Sequence, residues 1–205
     1  MNGARTERWA VILINARRRC KSRLRSVLSA SARVALADDM LQHGIEAVAA
    51  CDGIDRVLVV SPDARALPRG VAALCDPGMG MNVAAALGCR QARVHGATAT
   101  LVLPADLPHL TAEDLTALIA AAGLRGVALA TDTGGQGTNA LLLPAALPFR
   151  FAFGPGSRRR HERAALLVGQ RAALVQRAGL ARDLDTPADY FALAGRATAL
   201  TGTDA

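Results

Sequence analysis

Short apolar runs alternate along this chain with stretches in which apolar residues recur at helical spacing. "WAVILI", Trp9 to Ile14, is nearly uninterrupted and reads as a strand buried on both faces. Between about Ser29 and Ala50 the period changes: Val34, Leu36, Met40, Leu41, Ile45 and Val48 fall on one side of a helix. "DRVLVV" and "GVAALC" are two further strands. "VAAALGCRQARVHG" is helical and stops at Gly96. "ATLVLP" is a strand, and the helix after it opens with Thr111 as N-cap and acids in its first turn. "GVALATD" and "TNALLLP" follow as strands, "GSRRRHERAALLVGQ" as a helix and "AALVQ" as a short strand. A last helix opens with Thr186 as cap and Pro187 at its first position. Strands that alternate with helices predict an α/β fold with a mostly parallel sheet. In such sheets ligands bind beyond the carboxyl ends of the strands.

Composition narrows this picture. The 205 residues suit one domain, with a core over about residues 9–195 and a flexible tail over 196–205. The chain is 51% hydrophobic but only 3% aromatic, so the core is Ala, Leu and Val. The formal charge of +7 calls for anionic partners. No acid stands between Arg8 and Ala37, while Arg17, Arg18, Arg19, Lys21, Arg23 and Arg25 crowd together. Four cysteines without C-x-x-C spacing read as buried thiols in a reducing cytoplasm. "WAVILI" is too short for a signal peptide or membrane span, so no membrane partner is expected.

Four strand-end loops carry candidate chemistry. "NARRRCKSRLR" offers Lys and Arg to a triphosphate; a solvated basic loop or a nucleic-acid patch would look the same. "DPGMGMN" offers Gly78 and Gly80 for close backbone approach, and Asn82 for a base edge or ribose; a plain turn is the other reading. "LPADLP" places Asp106 beyond a strand, where a carboxylate suits a hard cation or merely closes a turn. Thr138 and "FGPGSRRRH" bring hydroxyls and glycine N–H groups to a helix start. Arginines in a first turn oppose the helix dipole, and an anionic ligand there offsets this.

Taken in order, K-S-R-L, D-P-G-x-G-x-N, L-P-A-D-L-P, G-T-N-A-L-L-L, F-G-P-G-S-x-x-x-H and D-L-D-T-P-A-D resemble the 2-phospho-L-lactate guanylyltransferase family of coenzyme F420 biosynthesis, over roughly residues 9–191. The resemblance implies a single-domain, nucleotidyltransferase-like, three-layer α/β/α fold. It implies transfer of GMP from GTP to 2-phospho-L-lactate, phosphoenolpyruvate or 3-phospho-D-glycerate, with release of pyrophosphate. Carried over by motif, Lys21, Arg23 and Asp106 are catalytic, and Lys21 and Arg23 meet the GTP phosphates. Gly78, Gly80 and Asn82 line the guanosine side. Asp106 holds Mg2+ with Asp183 or Asp185, and Thr138, Gly154 and Ser157 bind the phospho-acid. The chain departs from the family pattern at Asn15, where a Lys is usual, and at Met81, where Leu is usual.

The rivals are a molybdopterin-type nucleotidyltransferase and a basic nucleic-acid-binding module. The first calls for a Gly-Gly loop after the opening strand, and "NARRRCK" has no glycine. The second lacks aromatics for base stacking. The expected partners are therefore GTP and a small phosphorylated acid, not nucleic acid, in the cytoplasm. Oligomeric state stays open, a homodimer included.

Overall fold

A computed structural model describes residues 6–124 and 126–201 of the chain. The apolar runs form β1 (Arg8–Leu13), β2 (Arg56–Ser61), β3 (Ala72–Cys75), β4 (Ala99–Pro104), β5 (Val127–Ala130), β6 (Ala140–Pro144) and β7 (Ala172–Val175). Between and after them lie α1 (Ala30–Ala49), α2 (Met81–Val94), α3 (Ala112–Ala122), α4 (Ser157–Leu167), α5 (Ala178–Ala181) and α6 (Pro187–Thr201). All seven strands join one sheet in the order β3-β2-β1-β4-β6-β5-β7. Every pairing is parallel except those of β6, which runs against both β4 and β5. The reason is local: β5 and β6 are joined by the nine-residue loop 131–139, too short for the helical crossover that parallel neighbours need.

The strands are apolar without interruption because both faces of the sheet are covered. Ala10 and Ile12 of β1 pack with Leu41, Ile45 and Val48 of α1 and with Leu115 and Leu118 of α3. The intervening Trp9, Val11 and Leu13 pack on the opposite side with Ala84, Ala85 and Ala92 of α2 and Ala165 of α4. This is the expected α/β/α layering. Helix α2 lies so close to the sheet that a Cβ at Gly88 would collide with Val11 and Val60.

The parallel strands all end on the same edge, and β6 begins there. A small satellite core of Leu24, Met40 and Leu184 fastens the basic loop and the approach to α6 to that edge. Thr111 caps α3 as expected, in a reciprocal box with Asp114. Thr186 and Asp189 make the same exchange at α6: Asp189 N donates to Thr186 Oγ1 at 3.3 Å, and Thr186 N to Asp189 Oδ2 at 2.7 Å.

Three details differ from the sequence reading. Helix α6 continues to Thr201, past the expected end of the core at 195; of the expected tail, residues 202–205 lie outside the described ones. Cys75 is exposed and not a buried thiol, because β3 is an edge strand. The four-residue α5 is too short to leave a periodic signal. None of the helices, among the described residues, is long and apolar enough to cross a membrane.

Candidate functional site

A cleft of about 550 Å³ opens at the carboxyl edge of the sheet. Its walls come from the basic loop after β1, the glycine loop after β3, and the segments that follow β4 and precede α6. The basic loop is folded into two short 3-10 turns, Arg17–Arg19 and Ser22–Leu24. Lys21 stands between them in the left-handed region at φ 49°, an unusual conformation for a residue with a Cβ. That bend turns its side chain inward, where only 7% of it is exposed.

The Lys21 ammonium is held by three oxygens: Asp106 Oδ2 at 3.0 Å, the Leu184 carbonyl at 2.5 Å and Asp185 Oδ1 at 3.5 Å. Arg23 reaches the other Asp185 oxygen at 3.0 Å. Backbone bonds fix this arrangement. Leu184 N donates to Asp106 O, and Asp185 N donates to Asp189 Oδ2 from the α6 cap. Asp183 stands behind: burial raises its carboxyl pKa, and the charges of Asp106 and Asp185 raise it further. A carboxylate so placed gains from any added cation.

Hard oxygen donors that already converge on a positive charge fit Mg2+, which is commonly held by one or two carboxylates together with substrate phosphates and water. Among the described residues no group of three or more His, Cys, Asp or Glu side chains is arranged to hold a metal by itself. The donor set is thus one that a bound triphosphate would complete.

Arg65, absent from the sequence reading, anchors the loop. Its side chain is 2% exposed and pairs with Asp38. It also donates to Ser61 Oγ at 3.0 Å and to the Asn15 carbonyl at 2.9 Å. Asn15, Arg18 and Arg19 line the cleft, whereas the Arg17 guanidinium turns to Asp38 at 3.5 Å. Gly78 and Gly80 also line it. Gly80 is the N-cap of α2 at φ 97°, where a side chain would be strained. Asn82 points elsewhere: Phe153 N donates to its Oδ1 at 2.6 Å, and its Nδ2 reaches the Phe153 carbonyl at 3.5 Å. Expected at guanosine, Asn82 instead ties the glycine loop to "FGPGS".

Thr138, Gly154 and Ser157 form a second grouping, which does not line the cleft. The antiparallel register that sets Val102 of β4 against Leu141 of β6 brings Thr138 to the edge that carries Asp106. Ser157 opens α4, and its N–H donates to the Gly154 carbonyl at 3.0 Å. Arg158 N donates to the Gln136 carbonyl. Two of the helix N–H groups expected to face an anion are therefore already paired, which leaves the hydroxyls as the main donors. Ser157 is 1% exposed and Thr138 6%. Thr138 Oγ1 lies 2.9 Å from His161 Nδ1, and Ala152 N donates to His161 Nε2 at 2.8 Å. Burial, helped by the Arg160 charge, pushes the imidazole pKa down to about 4, so the ring is neutral near pH 7.

Sequence reasoning quoted His161 only as the end of a motif and gave it no role, and it did not single out Arg65. His161 had a legible signal: Ser157, His161 and Ala165 fall at i, i+4 and i+8, and all three are buried. Arg65 had none, because its partners come from three separate segments.

A mostly parallel sheet with lysine, arginine and aspartate gathered at its carboxyl edge suits a ligand that carries phosphate. The same fold occurs in a nucleotidyl transferase from Methanothermobacter, with a TM-score of 0.65 at 16% identity over 93% of this chain and 97% of that one. The chain belongs to the family described as guanylyl transferase CofC like, whose family model matches residues 9–196. It is 43% identical over 192 residues to a phosphoenolpyruvate guanylyltransferase of Rubrobacter xylanophilus, covering 90% of this chain and 92% of that protein. It is 39% identical to another of that name from Sphaerobacter thermophilus, covering 95% and 96%. A 3-phospho-D-glycerate guanylyltransferase of Phenylobacterium zucineum is 35% identical, covering 93% of each.

Proposed function

We propose that this guanylyltransferase transfers GMP from GTP to a small phosphorylated acid, with phosphoenolpyruvate as the preferred acceptor, and releases pyrophosphate as a step of coenzyme F420 biosynthesis. The observation that carries this reading is the cluster of Lys21, Arg23, Asp106 and Asp185 at the cleft, with a neutral set of hydroxyls at Thr138 and Ser157 on the same edge of the sheet. The first suits a triphosphate, the second a small anion. The names of the two relatives with the higher identity favour phosphoenolpyruvate over 3-phosphoglycerate.

The chemistry follows from the acceptor. A phosphate monoester has a second pKa of about 6 and is largely dianionic near pH 7. One of its oxygens attacks the α-phosphorus of GTP, the new P–O bond forms, and the bond to pyrophosphate breaks in line. No proton has to be removed, so no general base is called for. Lys21 and Arg23 place positive charge against the phosphates. Asp106 with Asp185 or Asp183 would hold Mg2+, which when bound supplies further charge neutralisation. Thr138 and Ser157 orient the acceptor, and closing two anions together is the main barrier that positioning lowers. Such substrates suit an enzyme of the cytoplasm, and the inward-facing Lys21 serves a small phosphate better than a nucleic acid.

The test is pyrophosphate release from GTP and Mg2+ with each of the three acids in turn. The reading predicts release only when an acid is present, fastest with phosphoenolpyruvate, and little with ATP. Acid-independent release, or equal use of ATP, would contradict it.

A further inference from the structure

One buried group beside the acceptor hydroxyls plays no part in the reaction so far. His161 has no exposed surface, and each ring nitrogen has a single partner. The Ala152 amide can only donate, so Nε2, 2.8 Å away, carries the lone pair. Nδ1 then carries the ring's proton, and 2.9 Å away it has only Thr138 Oγ1 to give it to. The hydroxyl oxygen thus accepts from His161, and its own proton must be directed elsewhere. Phe153 packs edge-on to the imidazole at 4.8 Å between centroids and Phe149 lies at 5.8 Å, so the ring has little room to flip.

We propose that His161 is a positioning residue for the acceptor: its Nδ1–H commits the Thr138 hydroxyl to act as a donor toward the phospho-acid. This rests on the assignment of Thr138 to the phospho-acid. A free hydroxyl offers lone pairs as readily as a proton, and lone pairs repel an anion. With its acceptor side engaged by the imidazole, the Thr138 hydroxyl meets the substrate proton-first, without reorganisation at the moment of binding. A cation would give the acceptor more attraction, but a neutral donor leaves the dianion free to attack. The neutral ring follows from burial and the adjacent Arg160 charge, so the arrangement is constant over ordinary assay pH.

Two amides separate this role from simple support of the loop. In His161→Asn the side-chain nitrogen falls near the Nδ1 position and keeps the donor to Thr138, while the Ala152 bond is lost. In His161→Gln the amide reaches the Nε2 position and keeps the Ala152 bond, while the donor is lost. The Michaelis constant for phosphoenolpyruvate should rise about 10-fold or more in His161→Gln and stay within about 3-fold in His161→Asn, with that for GTP unchanged in both. Thr138→Val should cost much less in the His161→Gln background than in the wild type, since the two act as a unit. Equal effects of Asn and Gln, or a joint rise for both substrates, would overturn the proposal. If the Thr138 assignment itself is at fault, Thr138→Val alone will leave the phosphoenolpyruvate constant unchanged. Should the amide variants not fold, ¹⁵N spectra of the wild-type imidazole decide. A protonated Nδ1 whose resonance moves on addition of phosphoenolpyruvate but not of GTP is expected. A protonated Nε2, or a resonance indifferent to phosphoenolpyruvate, overturns the proposal.

Discussion

On the proposed assignment, the two sides of the transfer site hold a phosphate by opposite means. On the nucleotide side formal charges face one another at the edge of an open cleft: Lys21 between Asp106 and Asp185, with Arg23 outside. On the acceptor side the working groups are neutral and nearly sealed, with Ser157 1% and His161 0% exposed. A triphosphate brings several charges and a metal, and several charged groups can share in holding it. A small acid must arrive in one orientation and keep its nucleophilic oxygen free, so fixed dipoles serve it better than strong opposite charge. The difference also separates their failure modes: changes on the first side should alter catalysis and metal use, changes on the second should alter acceptor recognition and folding.

The largest effect expected from breaking this division is at Asp106. Asp106→Asn should lower turnover by about 10³-fold, because an amide neutralises neither the metal nor Lys21. The melting temperature should change little, since the Lys21 ammonium keeps the Leu184 carbonyl and Asp185. Asp183→Asn and Asp185→Asn should each raise the Mg2+ concentration needed for half-maximal activity. A folded Asp106→Asn enzyme with wild-type turnover would remove the nucleotide side from the account.

Acid stability comes next. The His161 pKa is lowered from 6.5 to about 4 in the folded protein. Its neutral form therefore favours folding fully above pH 6.5, and that contribution is lost as the pH falls from there through 4. The loss amounts to at most about 3 kcal/mol. Denaturant titrations at pH 7 and pH 4.5 should show the wild type losing more stability on acidification than His161→Asn. Parallel losses would contradict the buried neutral imidazole.

Ser157→Ala should weaken the acceptor by about 10-fold in its Michaelis constant, the scale of one hydrogen bond to a charged group, and leave GTP untouched. A change for GTP instead would exchange the two sides. The smallest effect is expected at Asn82, the side chain that joins them. Asn82→Ala should raise the phosphoenolpyruvate constant by a few-fold, through a looser Phe153 backbone. A larger effect on GTP than on the acid would return Asn82 to the guanosine.

The fold was legible because strand and helix leave different periods, and because a sheet covered on both faces makes each strand continuously apolar. The gathering of Lys21, Arg23 and Asp106 at the cleft was legible for a related reason: they follow strand ends, where apolar runs stop and charge stands out. The grouping around Thr138 and Ser157 was only half legible. Its hydroxyls and glycines could be named from the motif, but the partner of Thr138 lies 23 residues on, across strand β6, a loop and a turn of helix. The Asn82 contact with the Phe153 backbone was not legible, because a carboxamide suits a base as well as a backbone and this partner is 71 residues away. Arg65 was invisible, since a single arginine in a surface-like loop carries no mark of burial.

The central claim is that an oxygen of the acceptor's phosphate attacks the α-phosphorus of GTP. Phosphoenolpyruvate labelled with ¹⁸O in its phosphate oxygens, turned over with unlabelled GTP and Mg2+, tests it directly by ³¹P NMR of the reaction mixture. The account predicts a product in which the GMP-derived phosphorus carries one ¹⁸O, shared as the bridge to the second phosphorus, and displays the isotope shift. GMP-derived phosphorus without the label, as attack by water would leave it, would contradict the account.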